Sequence, residues 1–314
     1  KEQTRKKILK IARDLNYRPH PIARSLSRKQ TDTIGVILPE LVDEFFMDII
    51  HGIEEVAHRN NRFIMISTSH SQRDMLETSL EFMNSGRVDG VVLMAPSLQN
   101  ELSEVYTVSK RPVVFINCCP ALKSIVSFNI NNFQGSYSIV QHLIDHGYKK
   151  IAMITGPENN TDALERLRGY KKALTDNGLQ VNAAHLISGD FSIRSGYYGF
   201  IRLMNQKDKP QAIFAANDMM AVGIYEAAAH AKVYIPDDIA VVGFDDILLS
   251  RVLTPRLTTI HVPIVELGSR AMQYLLKMIN GDIDQQESYK EELSTGLVIG
   301  GSCGCMHHDL LNLF

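Results

Sequence analysis

Residues 91–95 read VVLMA, five apolar side chains in an unbroken run. A strand of this kind has both faces covered, which is the situation of a parallel sheet held between two layers of helix. Working outward, Val- and Ile-rich runs recur at 33–38, 62–67, 88–94, 112–116, 149–155, 184–188, 211–215 and 239–243. Between several of them, 46–60, 73–85, 132–146, 162–177 and 218–230 carry the 3.6-residue apolar period of amphipathic helices. Alternating β and α elements predict doubly wound parallel sheets. One sheet does not easily hold so many strands, and the pattern divides near 117–131, so the expected fold is α/β with two doubly wound parallel-sheet lobes. Open sheets of this type bind ligands beyond the carboxyl ends of their strands. Two facing lobes therefore make a cleft, and the residues just after each strand are the ones to examine.

The amino-terminal stretch is different in style. Residues 2–16 place Ile8, Ile11, Ala12 and Leu15 at helical spacing, and Pro19 ends that helix by pushing Arg18 into an extended conformation. Pro21 suits the first turn of a second, shorter helix. The whole chain of 314 residues has a net charge of −2. Residues 1–30, however, hold ten Lys and Arg against only Glu2 and Asp14, a net of +8, which leaves −10 on the rest. A basic arm on an acidic body points to nucleic-acid contact by the arm; the plainer reading is a solubilising charged terminus. Cys118, Cys119, Cys303 and Cys305 are paired with neighbours too near in sequence for a disulfide framework, which points to a reducing compartment. No apolar run reaches the roughly 20 residues of a membrane span, and no signal-peptide pattern opens the chain. A cytoplasmic protein with no membrane partner is expected. The chain begins at Lys1 with a helical pattern already under way, so a preceding segment is expected too.

At NYRPHPIARSL (16–26) the sequence resembles the hinge of the LacI/GalR family of bacterial transcription regulators, whose usual pattern is Y-x-P-N-x-x-A-R-x-L. Tyr17, Pro19, Ala23, Arg24 and Leu26 match, and His20 stands where Asn is commoner. The resemblance continues through TDTIGVILP (31–39), HLIDHGYKKIAMITGP (142–157), ERLRGYKKAL (165–174), AIFAANDMMAVG (212–223), IPDDIAVVGFDD (235–246) and TPRLTTIHVP (254–263). It implies a periplasmic-binding-protein-like sensor behind a helical DNA-binding remnant and hinge, with residues 2–16 as the third headpiece helix and the first two headpiece helices absent. The implied division is 1–30 for helix and hinge, 31–128 with 258–291 for the amino-terminal lobe, and 129–257 with 292–314 for the carboxy-terminal lobe. It also implies a homodimer on a pseudo-palindromic operator, joined along helices near 46–60 and 218–230. The function so implied is a transcriptional regulator, a repressor, whose operator affinity is set allosterically by a small molecule in the cleft. A transporter-associated sugar-binding protein shares the architecture, and fold alone does not separate the two. The basic hinge and the missing signal peptide favour the regulator.

Family resemblance makes 20–28 a short helix that enters the minor groove on binding double-stranded DNA. Leu26 is then an apolar wedge at a central base step, with Arg24, Arg28 and Lys29 on phosphates, where contacts give affinity and salt dependence but little sequence information. Tyr17, Pro19 and Ala23 belong to the same segment. The plainer reading is a linker.

For the cleft, Phe45 and Phe46 follow the first core strand and can stack on a sugar-like ligand or pack into the core; one ring is expected to pack inward. Arg166 matches the family's ligand-binding arginine, and a guanidinium donates two parallel bonds to vicinal hydroxyls or a carboxylate. The plainer reading is an i,i+4 surface pair with Asp162. Asn160 and Asp162 align with family ligand contacts. Asn217 is expected to face ligand while Asp218 caps the following helix. Asp245 matches the family's ligand carboxylate, Asp246 is the solvated or interlobe neighbour, and Phe191 resembles the aromatic that closes the pocket. Replacing Arg166 or Asp245 by Ala is expected to remove effector binding and leave the fold intact. This mixture suits a carbohydrate, with a nucleobase as the other ligand class open to the fold.

No Gly-rich phosphate loop, G-x-S-x-G or H-E-x-x-H is present, so no enzyme and no cofactor is expected. The tail GGSCGCMHH (300–308) offers Cys303, Cys305, His307 and His308 to a soft divalent metal. Four ligands in six residues are too close for common zinc-finger spacing, so the favoured reading is a strand end that closes the fold, without metal. Cys118 and Cys119 follow a strand and read as buried or edge-lining residues.

Overall fold

The computed structural model describes residues 2–14, 30–39, 41, 44–68, 77–78, 81, 85–97, 111–118, 125–283 and 288–305. Tyr17, Pro19, Ala23, Arg24, Leu26 and Arg28 lie outside them, as do Cys119, His307, His308 and most of 73–85. Helix α1 (Glu2–Asp14) forms as expected, and of its apolar stripe Ile11 is exposed.

The first sheet contains β1 (Thr33–Leu38), β2 (Phe63–Thr68), β3 (Gly90–Met94), β4 (Val113–Ile116), β5 (Val126–Ile130) and β11 (Tyr289–Leu293), in the order β11-β5-β4-β3-β1-β2. All neighbours are parallel. Every residue of β3 and β4 is buried, which is why their sequences are unbroken apolar runs. Helices α2 (Glu44–Arg59) and α8 (Ile264–Asn280) pack together with backbones in close approach: a Cβ on Gly52 would lie 2.0 Å from the Val265 carbonyl oxygen.

The second sheet contains β6 (Ile151–Thr155), β7 (Leu186–Ser188), β8 (Ala212–Ala215) and β9 (Ala240–Val242), parallel in the order β7-β6-β8-β9. Around it run α3 (Asn132–Asp145), α4 (Thr161–Asp176), α5 (Ile193–Met204), α6 (Asp218–Ala231) and α7 (Leu248–Val252). A small antiparallel pair, β10 (Thr259–His261) with β12 (Gly296–Val298), adjoins it. The carboxy-terminal stretch is stitched onto β9: the Ser302 carbonyl accepts from the Val241 N–H at 2.9 Å, and the Ser302 hydroxyl donates to the Val241 carbonyl at 2.6 Å.

The chain passes between the lobes three times, after β5, between β10 and α8, and between β11 and β12. Two of these passages are tied together, because the Asn131 N–H donates to the Leu293 carbonyl at 3.0 Å and its side-chain amide to Glu292 at 2.9 Å. Strands β5, β10, β11 and β12 and helices α5, α7 and α8 are additions to the elements read from periodicity. β11, YKEEL, is an edge strand, and edges carry charge where central strands carry Val and Ile.

Candidate functional site

Loops leaving the carboxyl ends of β1, β3 and β4 meet those leaving β6, β8 and β9. After β6, Asn160 caps α4 by accepting the Ala163 N–H at 3.0 Å, a structural use of its oxygen that periodicity does not reveal. Thr161 then donates both its N–H (3.2 Å) and its hydroxyl (3.1 Å) to the Pro96 carbonyl of the first lobe. Asp162 accepts from Asn117 at 3.1 Å and from Asn132 at 2.9 Å. Burial pushes the Asp162 carboxyl up to about 6, against the pull of Arg166 and these two amides. A further contact between the lobes is made by Glu44, which accepts the Leu248 N–H at 2.7 Å.

Arg166 lies one turn into α4 and is 3% exposed. It is no surface pair with Asp162. Its Nη2 sits 3.0 Å from an Asp245 oxygen, Nε donates to the Asn132 side-chain oxygen Oδ1 at 2.8 Å, and Nη1 donates to the Ala216 backbone carbonyl at 2.5 Å. The guanidinium carbon lies 3.8 Å from the centre of the Phe244 ring and 5.7 Å from that of Phe191. A buried cation of this kind is retained only where a counter-charge and hydrogen bonds replace water, and Asp245 with the two carbonyl-type acceptors does so.

Asp245 adopts φ +112°, Phe191 φ +68° and Asn117 φ +46°, all in the left-handed half of backbone space. Such conformations cost of order 1–3 kcal/mol each and gather at functional sites. Phe191 presses onto Gly156, where a Cβ would come within 2.2 Å of its ring. Asn217 holds this loop: its amide donates to the Phe191 carbonyl at 3.1 Å while its oxygen caps α6 by accepting from Met220 at 3.0 Å. The expected division is therefore reversed in part, since Asn217 is the cap. Asp218 instead accepts from Thr259 at 2.6 Å and from the Ile247 N–H at 3.1 Å. Burial, and then the charge of Asp245, push the Asp218 carboxyl well above the ordinary range. Asp246 is not solvated; it accepts from His261 at 3.0 Å and Arg251 at 3.2 Å.

Phe45 and Phe46 both pack inward, edge to face with ring centres 5.4 Å apart, where one was expected to. Arg166, Asp162, Asp245, Phe191 and Asn217 thus gather at one end of the second sheet, and the Phe pair belongs to the core of the first lobe. Sequence reading missed Asn117, Asn132 and Phe244. Asn117 ends a strand it recognised, so the open-sheet rule points to it; Asn132 follows β5, a strand whose Ser127 and Asn129 break the apolar run.

Residues 140–303 match the family model described as a periplasmic binding protein-like domain. The chain is 34% identical over 281 residues to catabolite control protein A of Priestia megaterium, covering 89% of this chain and 85% of that protein. Among solved structures, the lac repressor dimer bound to operator and the anti-inducer ONPF superposes with a TM-score of 0.86 at 28% identity, covering 96% of this chain and 90% of that one. The CelR–cellobiose complex, a transcriptional regulator, superposes with a TM-score of 0.79 at 25% identity, covering 96% and 91%.

Proposed function

Because the chain belongs to the LacI/GalR family of bacterial transcriptional regulators and is not an enzyme, we propose that its interlobe cleft takes a neutral polyhydroxylated effector, a sugar, and that occupancy sets operator affinity. The observation that carries this reading is the buried Arg166–Asp245 pair beside Phe191 at the carboxyl ends of the second lobe's strands. A fixed guanidinium donates to hydroxyls, carboxylates accept from them, and a ring covers an apolar C–H face. One buried arginine already matched by Asp245 has little charge to spare for a sugar phosphate. Cellobiose in the CelR structure supports the same ligand class. Asn160, Asp162, Arg166, Phe191, Asn217 and Asp245 are the residues assigned to this cleft, while Phe45 and Phe46 pack in the core of the first lobe.

DNA contact is assigned to Tyr17, Pro19, Ala23, Arg24, Leu26 and Arg28, in a cytoplasmic homodimer on a pseudo-palindromic site; the lac repressor dimer on its operator supports that arrangement. The arm 1–30 and lobes 31–128 with 258–291 and 129–257 with 292–314 are the working division. Effector stabilises one lobe arrangement, and the coupling is of the order of 1–3 kcal/mol usual for allostery.

A thermal-shift screen against mono- and disaccharides, sugar phosphates, nucleosides and amino acids tests the ligand class. A ligand at a hundredfold its dissociation constant adds about 2.7 kcal/mol, several degrees in melting temperature. A sugar hit supports the reading; a response to nucleosides or to anionic sugars alone overturns it.

A further inference from the structure

His142 and His146 are one helical turn apart at the end of α3, so both rings leave the same face. Cys303 and Cys305 flank Gly304, whose φ of +89° turns the backbone and brings both sulfurs to one side. These four residues, separated by more than half the chain, converge. Cys303 Sγ lies 3.3 Å from His142 Nε2, Cys305 Sγ lies 3.1 Å from His146 Nε2, and Cys305 Sγ lies 3.6 Å from His142 Nε2. All four donor atoms fall within 4.8 Å of one another.

We propose that His142, His146, Cys303 and Cys305 form a Cys2His2 site for a tetrahedral divalent metal of the zinc type. Magnitudes decide this. Zinc bonds of about 2.0–2.3 Å make a tetrahedron with edges of about 3.3–3.8 Å. Two of the contacts above, 3.3 and 3.6 Å, fall in that range and the third, 3.1 Å, is slightly shorter, so an ion fits with small shifts of side chains already in place. Two soft thiolates with two imidazoles select zinc over magnesium or calcium, which want oxygen. Four protein ligands leave no open position, the mark of a structural site.

The surroundings suit the role. Thr258 donates its hydroxyl to Cys303 Sγ at 3.1 Å, and Tyr148 donates to the Cys303 carbonyl at 3.2 Å, the kind of outer contacts that hold ligands in orientation. Cys303 is fully buried while His146 is exposed, which leaves a side open for the ion to enter. The tail alone did not reveal the site because two of the four ligands come from α3, far away in sequence. A bound ion would pin the carboxy-terminal stretch to the first helix of the second lobe, and would change the expectation of no metal.

The test uses the reduced full chain, stripped with chelator and reconstituted with zinc. Expected are one zinc per chain by elemental analysis, a rise of several degrees in melting temperature, and, with Co(II), the intense visible bands of a tetrahedral thiolate complex. His146→Asn, at an exposed position, and Cys305→Ser should each lose stoichiometric zinc and the cobalt spectrum, while the His307→Asn/His308→Asn double variant keeps both. No zinc retained by the reduced wild type, equal retention in His146→Asn, or loss in the double variant would each overturn the proposal.

Discussion

Arg166 and Asp245 meet across the end of β8. The arginine follows β6 and the aspartate follows β9, the two strands that flank β8, and the guanidinium spans the gap, bonding the Ala216 carbonyl on the way to the carboxylate 3.0 Å distant. The pair is therefore a clasp on the sheet as well as the proposed ligand-recognition group.

That double role changes what a truncation does. Removing one partner leaves the other charge buried without its mate, which costs about 3–5 kcal/mol. Arg166→Ala and Asp245→Ala should each lose effector binding and also unfold at distinctly lower denaturant, contrary to the expectation of an intact fold. The Arg166→Met/Asp245→Leu double variant should recover much of the stability but none of the binding. A denaturant double-mutant cycle reads this directly; single variants as stable as wild type would refute the clasp.

Asp162 gives stability a slope with pH. Its carboxyl is raised in the folded protein to about 6 from an ordinary 3.8, so the folded state holds the proton more tightly. Its contribution is complete below the unfolded value and is lost as pH rises through about 6, each tenfold difference in proton affinity being worth about 1.4 kcal/mol. Asp162→Asn should flatten that part of the stability profile between pH 4 and 6. An unchanged slope in the variant would assign the effect to other groups.

The Glu44–Leu248 hydrogen bond joins the two lobes. Glu44→Ala should shorten effector residence and favour the open arrangement, with a change of about 1.5–3 kcal/mol for a charged hydrogen bond, roughly ten- to a hundredfold in dissociation rate. Stopped-flow ligand release measures it, and scattering of the unliganded protein should show a larger radius.

Gly52 has no room for a side chain. Gly52→Ala puts a methyl 2.0 Å from the Val265 carbonyl oxygen, and overpacking of that kind costs about 1–3 kcal/mol. The melting temperature should drop while the wild-type zinc stoichiometry, set in the other lobe, stays as it was.

How much of this was readable follows from where each residue sits. The central strands announced themselves because both their faces are buried. β11 stayed hidden because an edge strand is charged, and β5 because Ser127 and Asn129 interrupt it. Arg166, Asp162 and Asp245 were legible as residues after strands and helix starts, yet their pairing was not: sequence spacing suggested Arg166 with Asp162 four residues away, whereas β6 and β9 flanking the same strand bring it to Asp245. The same limit hid His142 and His146 from Cys303 and Cys305, since only the folded sheet order makes them neighbours.

The threefold passage between lobes has a consequence for how the protein is made. β11 completes the first sheet against β5, β12 pairs with β10, and the stretch to Ser302 ties onto β9, so each lobe gains its last contacts from the residues from Tyr289 onward. During synthesis, which runs from the amino terminus, the basic arm therefore emerges long before any finished sensor exists to govern it. Contacts between such distant parts of the chain also form slowly. A chain cut short of Tyr289 keeps the four strands of the second sheet but lacks the edge strand of the first and the partner of β10.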